Sequence, residues 1–394
     1  MVEKPTLRQN IEIIPVIHEN ETGILLSDHL MPGQGIFVGK KDILLLTFFD
    51  GKHTARDIQY QATKQQDGVI IPIEEIKEFI RILDENGFLD SDQYRKMIAD
   101  LFDEYKSKPD RSSLMLMETF SDNQSLEEYL DSKFQGVEEK IVENLPEKVR
   151  GLMVPHIDVE RGRISYVHSY QTLRKYPEAD CYIVLGVNHS YPTGNPFIAT
   201  DRNYATPLGG MDTDMEMLNK LNHKLDWDLL DGELAHRGEH SVEFPTLFLN
   251  YIYPGIQAKM LPILCNFIDK EDPKIDLFVH ALKEIIEQDP RNIILIASVD
   301  FTHAGAQFGW QKEVDEIDRV RIKREDMETL EFMAKNDPDG FYNDIMKDQN
   351  ARNIDALGAG YVFLKLLPDI PGRLINYEQA FHPHNTVTFA GMIF

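Results

Sequence analysis

The stretch Ile293-Ile-Leu-Ile-Ala-Ser-Val-Asp-Phe-Thr-His303 places an apolar, strand-like run directly before an acidic residue and a histidine. His156 and His189 each stand just after a similar apolar run. Residues just past the carboxyl ends of parallel strands converge on one crevice of an α/β sheet. The sequence therefore predicts that His156, His189, Asp300 and His303 meet at one site.

From residue 149 to the end of the chain, apolar runs alternate with amphipathic helical segments, which is typical of a sheet covered by helices on both faces. The predicted strands are Leu152–Val154, Tyr182–Leu185, Met260–Leu264, Ile293–Ala297, Leu374–Tyr377 and Val387–Phe394. The predicted helices are Ile164–Lys175, Met215–Leu221, Val242–Tyr251, Ile275–Ile286, Asp315–Lys335, Pro338–Asp348 and Ala356–Leu366. This pattern predicts an α/β domain over residues 149–394.

The first 148 residues have a different pattern, and a chain of 394 residues is expected to form more than one domain. Residues 1–90 show two short strand-like runs and then three short helical segments, which predicts a small winged-helix-like α+β domain. The segment 91–148 is polar and highly charged and is interpreted as a helical connector, with helices over Asp92–Tyr105 and Leu126–Asn144.

Charge and cysteine usage restrict the partners and the compartment. The net charge is -25, with 66 acidic against 41 basic side chains, which argues against binding to nucleic acid. The two cysteines, Cys181 and Cys265, adjoin apolar runs and suit buried, reduced thiols, so a cytoplasmic protein is expected. The amino terminus lacks the apolar core of a signal peptide, and the apolar stretches are too short to cross a membrane.

Several polar residues near the predicted strand ends allow two interpretations. Asp300 could fix the tautomer of His303 for proton transfer, or it could cap the following turn. His240 and Glu243 lie near the start of a predicted helix, where the helix dipole alone favours carboxylates. The pair His382 and His384, beyond another strand, could bind a metal or could be solvated. Imidazoles with a carboxylate suit Fe(II), Zn or Cu.

A set of short motifs in a fixed order resembles the Memo family, and within it the AmmeMemoRadiSam system protein B branch. The motifs are Val-Pro-His156, Leu-Gly-Val-Asn-His189-Ser, Ala205-Thr-Pro-Leu-Gly209, Glu239-His240-Ser-Val-Glu243, Leu261-Pro-Ile-Leu, Ser298-Val-Asp-Phe-Thr-His303 and Ile375-Asn-Tyr. The resemblance implies an αβα sandwich of class III extradiol dioxygenase type. In residues 1–90, the stretch Leu46-Thr-Phe-Phe-Asp-Gly-Lys-His-Thr54, a helical segment and then Leu83-Asp-Glu-Asn-Gly-Phe-Leu89 are similar to PqqD-like peptide-recognition modules.

The resemblance also implies roles for individual residues. His156 and His189 would bind the metal, while Asp300, His303 and His240 would line the cleft as catalytic residues. A further ligand is expected after Asn376, where the chain offers His382 and His384, and supporting contacts are expected from Asp158, Glu243 and Glu378. Fe(II) is the expected ion and Cu or Zn the alternatives, since no cysteine lies in that segment to favour Cu(I).

The branch implies a metal-dependent redox protein, possibly dioxygenase-like, that works with a radical-SAM protein and an AMMECR1-like protein on a peptide or small molecule. The alternative is a non-catalytic peptide-binding or adaptor protein that uses the same cleft. The metal-dependent interpretation depends on imidazoles from distant parts of the chain meeting within bonding distance of one ion.

Overall fold

The computed structural model describes residues 2–18, 21–28, 30, 35–66, 68–112, 123–189 and 194–394. The chain divides into two compact units, with the boundary between Lys108 and Pro109. Both units combine helices with β-strands, so the predicted mixed α/β architecture is confirmed.

The first unit contains an antiparallel sheet and four described helices. Its strands are β1 (Glu12–His18), β2 (Glu21–Ser27) and β3 (Ile36–Gly39), paired in the order β1-β2-β3, and its helices are Lys40–Leu46, Ala55–Gln65, Ile73–Glu85 and Asp92–Lys106. Thr54 and Asp57 form a capping box that starts the second helix. Leu26, Ile58 and Ile80 belong to the unit's hydrophobic core. The winged-helix assignment and the PqqD-like resemblance stay predictions.

The segment that the sequence suggests as a connector contributes to both units. Its helix Asp92–Lys106 belongs to the first unit, while β4 (Asp110–Ser112) and the helix Asn123–Phe134 belong to the second. The helix predicted over Leu126–Asn144 therefore ends early. Gly136 follows its last turn with a φ of 75°, a left-handed conformation that stops a helix.

The second unit is built on an eight-stranded sheet and a smaller three-stranded sheet. The strands are β5 (Gly151–Val154), β6 (Cys181–Val187), β7 (Phe197–Ala199), β8 (Asn203–Thr206), β9 (Gly209–Met211), β10 (Lys259–Cys265), β11 (Ile293–Ser298), β12 (His303–Ala304), β13 (Arg373–Ala380) and β14 (Thr386–Ile393). The large sheet has the order β12-β14-β5-β11-β6-β10-β7, with β13 paired to β14, and the small sheet has the order β4-β8-β9. Each apolar run predicted from the sequence coincides with one of these strands.

Helices contact both faces of the large sheet. Val159–Leu173 contacts β5, β13 and β14 on one face, and Leu357–Leu366 contacts β6, β10 and β11 on the other. The other helices of this part of the chain are Met215–Asn222, Glu243–Ile252, Pro273–Gln288, Glu316–Ala334 and Pro338–Met346. Consecutive residues of β6 point to opposite faces: Leu185 packs in the core shared with Leu282 and Val362, whereas a Cβ on Gly186 would lie 2.5 Å from Oγ of Ser241. The strands are therefore buried on both sides, which explains their continuous apolar sequences.

Three neighbouring strands run parallel and end at the same edge of the sheet. β5 pairs with β11, and β11 pairs with β6, all in parallel register. His156, Asp300 and His189 each lie two residues beyond the last residue of their strand. This edge carries the candidate site. In the described part of the chain, no helix is both long and apolar enough to cross a bilayer.

Candidate metal centre

Three histidine rings meet at the strand-end edge. The ring centroids of His156 and His189 are 4.9 Å apart, and those of His156 and His240 are 5.3 Å apart. The ring of His240 stacks on that of His189 at a centroid distance of 4.9 Å. The nitrogens that these rings offer lie within 4.8 Å of one another, close enough to face one ion.

The side chain of Asp355 lies among His156, His189 and His303, and the sequence patterns do not predict it as a site residue. Its Oδ2 atom is 3.1 Å from Nε2 of His156, 3.8 Å from Nε2 of His189 and 3.9 Å from Nε2 of His303. The residue comes from the segment that precedes the helix Leu357–Leu366. Three imidazole nitrogens thus converge on one carboxylate oxygen.

The other ring nitrogen of each of these histidines faces an acceptor. Nδ1 of His156 is 2.9 Å from the carbonyl oxygen of Ser298, and Nδ1 of His189 is 3.1 Å from Oε1 of Glu239. Nδ1 of His303 lies 3.0 Å from the carbonyl oxygen of Phe301. Each Nδ1 therefore donates a hydrogen bond, which leaves Nε2 directed at Asp355 and able to act as a ligand.

Asp300 joins two parts of the centre through its backbone and its side chain. Its Oδ1 atom accepts a hydrogen bond of 3.2 Å from the backbone amide of His156. Its own backbone amide donates a hydrogen bond of 2.8 Å to Oδ1 of Asp355. Asp300 also brings Oδ2 to 3.8 Å from Nε2 of His156. The three residues form a second group whose ligand atoms lie within 4.8 Å of one another.

The charges of the centre are strongly coupled. Burial opposes protonation of His156, but Asp300 and Asp355 outweigh burial and raise its pKa to about 9. Burial likewise opposes protonation of His189, whose pKa is nevertheless held well above its usual value by Glu239 and Asp355. Burial lowers the pKa of His240 to about 3. Without a metal the carboxylates are thus balanced by protonated imidazoles, and a cation could replace those protons.

Two other predicted residues, Asp158 and Glu243, contact groups other than the histidines of the centre. Asp158 caps the helix Val159–Leu173 by accepting a hydrogen bond of 3.0 Å from the amide of Arg161. Glu243 is buried and forms an ion pair with Arg111 of β4. The carboxylate that contacts His189 is Glu239, the residue before His240, for which the sequence predicts no role.

The residues predicted near the end of the chain lie at the outer strands. Glu378 is in β13, while His382 and His384 lie in the turn between β13 and β14. The two histidines line a surface cavity of about 460 Å³ together with Arg161 and Gln307, and Nε2 of His384 is 3.4 Å from Glu313. Among the described residues, neither histidine belongs to a cluster of potential ligands. A ligand role for them stays a prediction.

Comparison with known proteins identifies the family. The family model for Memo-like proteins matches residues 119–393. A MEMO1 family protein of Aquifex aeolicus is 30% identical over 91% of this chain and 92% of its own length. Similar proteins of Thermus thermophilus, at 25% identity over 82% of this chain and 93% of theirs, and of Methanosarcina mazei, at 30% over 60% and 77%, carry the same family name. The chain belongs to the Memo-like family.

Proposed function

We propose that this protein binds a redox-active metal ion through His156, His189 and Asp355. The observation that carries the proposal is the convergence of imidazole Nε2 atoms on Oδ2 of Asp355, with Nδ1 of both His156 and His189 engaged by acceptors. Two neutral imidazoles and one carboxylate form the ligand set of non-haem Fe(II) oxygenases. Fe(II) is therefore the preferred ion, and Zn or Cu are the alternatives.

The proposed activity is dioxygenase-like oxidation. His156, His189 and Asp355 would hold the ion, and Fe(II) bound there would supply the one-electron and O₂ chemistry needed to oxidise an organic substrate. An αβα sandwich of class III extradiol dioxygenase type accords with helices on both faces of the sheet and with ligands beyond the strand ends.

Residues around the proposed ion would transfer protons to and from the substrate and line the cleft. His303 directs Nε2 toward the centre from 3.9 Å, while its Nδ1 is bound to a backbone carbonyl, so the free nitrogen can accept and return a proton. Asp300 is buried, and burial raises the pKa of its carboxyl, while the nearby His156 opposes that shift. The ring of His240 stacks on the ring of His189, and the low pKa that burial gives His240 keeps this side of the cleft uncharged.

Anaerobic metal analysis tests the proposal. The purified protein is loaded with Fe(II) without oxygen, desalted and assayed for iron, with His156→Ala as the test variant. The exposed His280→Ala is the matched control, since it removes an imidazole outside the cluster. We expect about one iron per chain in the unchanged protein and in His280→Ala, and a large loss in His156→Ala. Equal iron in both variants would reject the site, and absence of metal from all three would favour the peptide-binding or adaptor alternative.

The proposed partners rest on family resemblance. A radical-SAM protein, an AMMECR1-like protein and a peptide substrate stay predictions for this chain. Copurification of the full chain with each candidate protein, followed by mass analysis of a supplied peptide, would test them.

A further inference from the structure

The carboxylates and the proton-transfer histidine of the centre come from two segments, one with Asp300 and His303 and the other with Asp355. The buried side chain of Asp326 contacts both segments. Asp326 lies on the helix Glu316–Ala334 and is fully buried. It accepts a hydrogen bond of 2.6 Å from Oγ1 of Thr302, which stands between Asp300 and His303. It also faces Nη1 of Arg352 at 3.4 Å, three residues before Asp355.

The two segments are also bound directly to each other. The backbone amide of His303 donates a hydrogen bond of 2.9 Å to the carbonyl oxygen of Arg352. Nδ1 of His303 lies 3.1 Å from the carbonyl oxygen of Asn353, and the Asn353 amide returns a bond of 3.3 Å to the His303 carbonyl. Asn353 has a φ of 50°, the left-handed conformation that asparagine tolerates well. The distance between His303 and Asp355 is therefore set by how these segments pack.

Asp326 has more donors than a buried carboxylate needs for neutralisation. Besides Thr302 and Arg352, the hydroxyl groups of Thr388 and Tyr377 donate to Oδ2 at 2.6 Å and 2.9 Å. A buried carboxylate of this kind is not required for stability, because replacing a buried ion pair with well-packed apolar residues often costs no stability. A charge fixed by four donors does, however, hold each donor in one position.

We propose that Asp326 is a positioning residue, which acts through Thr302 and Arg352 to set the spacing between His303 and Asp355. The inference rests on the proposed metal site and extends it, because it assigns the geometry of the centre to a residue that touches none of its ligands. Removing the contact to Thr302 should release the Asp300–His303 segment. Removing a contact on the far side of Asp326 should leave the centre unchanged.

Two variants separate these cases in the whole 394-residue chain. Thr302→Val removes the hydroxyl that joins Asp326 to the site segment and keeps the side chain's shape. Tyr377→Phe is the matched control, since it removes another hydroxyl from the same carboxylate, but on β13. Each protein is titrated anaerobically with Fe(II) and, separately, with Co(II), whose visible absorption at saturation reports ligand geometry.

We expect Thr302→Val to bind Fe(II) about 10- to 100-fold more weakly, the range seen when residues that orient metal ligands are replaced. Its Co(II) spectrum should change, while Tyr377→Phe should keep the spectrum and an affinity within about two-fold of the unchanged protein. Asp326→Asn, as a second test variant, should resemble Thr302→Val. Metal binding by the unchanged protein combined with identical spectra in Thr302→Val and Tyr377→Phe would overturn the positioning role alone. Absence of binding by the unchanged protein would overturn the metal site as well.

Discussion

Nε2 of His156 and Oδ2 of Asp355 lie 3.1 Å apart, and both side chains are largely buried. Two atoms about 3 Å apart can both reach one ion at roughly 2.1 Å. The pair thus has the spacing of two ligands of one ion. In the absence of that ion, the same spacing gives a charged hydrogen bond between the imidazole and the carboxylate.

Replacing Asp355 with asparagine should abolish tight metal binding. Asp355→Asn keeps the size of the side chain but removes the negative charge that faces His156, His189 and His303. We expect the Fe(II) dissociation constant to rise by about 100-fold or more, since a neutral amide is a poor ligand for this ion. Anaerobic titration measures the change. Glu378→Gln, which alters a half-buried carboxyl in β13, is the control and should bind like the unchanged protein.

Glu239 should affect the metal through His189. Its carboxylate accepts hydrogen bonds from Nδ1 and from the backbone amide of His189, both at 3.1 Å, and from the amide of Ser241 at 2.8 Å. Glu239→Gln removes the charge that makes His189 a stronger donor to the metal. We expect Fe(II) affinity to fall about 10- to 100-fold in the same titration.

Glu243→Gln is the control for Glu239→Gln. Glu243 is a buried partner of Arg111, and removing one member of a buried ion pair typically costs about 3–5 kcal/mol of stability. The variant should unfold at lower urea concentration while its folded fraction keeps the Fe(II) affinity of the unchanged protein. A loss of affinity in Glu243→Gln equal to that in Glu239→Gln would contradict the specific role of Glu239.

The sequence predicts the strand-end residues well because a simple geometric rule applies to them. Parallel strands buried on both faces produce continuous apolar runs, and the residue that follows each run must lie at one edge of the sheet. His156, His189 and Asp300 all satisfy the rule, each two residues past a strand. Their meeting at one centre follows from the adjacency of β5, β11 and β6.

The rule does not predict Asp355, because no strand directly precedes it. It lies in the segment before the helix Leu357–Leu366, where an aspartate resembles an ordinary residue at a helix start. The rule also specifies the edge of the sheet but not the position along it. His382 and His384 follow β13, the partner of β14, and therefore lie toward the outside of the sheet.

The helix Leu357–Leu366 should be sensitive to one added methyl group. A Cβ on Gly358 would lie 2.3 Å from the carbonyl oxygen of Asn266, a backbone atom that cannot turn away. Alanine normally stabilises a helix by about 1 kcal/mol relative to glycine, but this clash reverses the sign. We expect Gly358→Ala to lower the free energy of unfolding by about 1–3 kcal/mol in urea.

Gly360→Ala is the control for the same helix. Its Cβ would meet the ring of Phe341 at 2.9 Å, a side chain that can shift. The loss should therefore be smaller than for Gly358→Ala. An increase in stability of Gly358→Ala would show that the backbone of Asn266 yields and that the close approach of the helix is not required.

The stability of the second unit should decrease in mild acid because of His236. This residue is fully buried, accepts a hydrogen bond of 2.6 Å at Nδ1 from the hydroxyl of Tyr204 and donates one of 3.1 Å from Nε2 to the carbonyl of Ile198. Burial lowers its pKa to about 3. In the unfolded chain the same imidazole has an ordinary pKa of about 6.5.

Between these two pKa values the unfolded chain binds a proton that the native protein does not, so acid favours unfolding. His236 should contribute about 1.4 kcal/mol of lost stability for each pH unit from about 6.5 down to about 3. Urea unfolding of the metal-free protein at pH 6 and pH 4 measures the slope, and His236→Gln should have a shallower slope by that amount. His280→Gln, at an exposed histidine, should keep the slope of the unchanged protein. Equal slopes in all three proteins would mean that His236 takes up its proton in the native state.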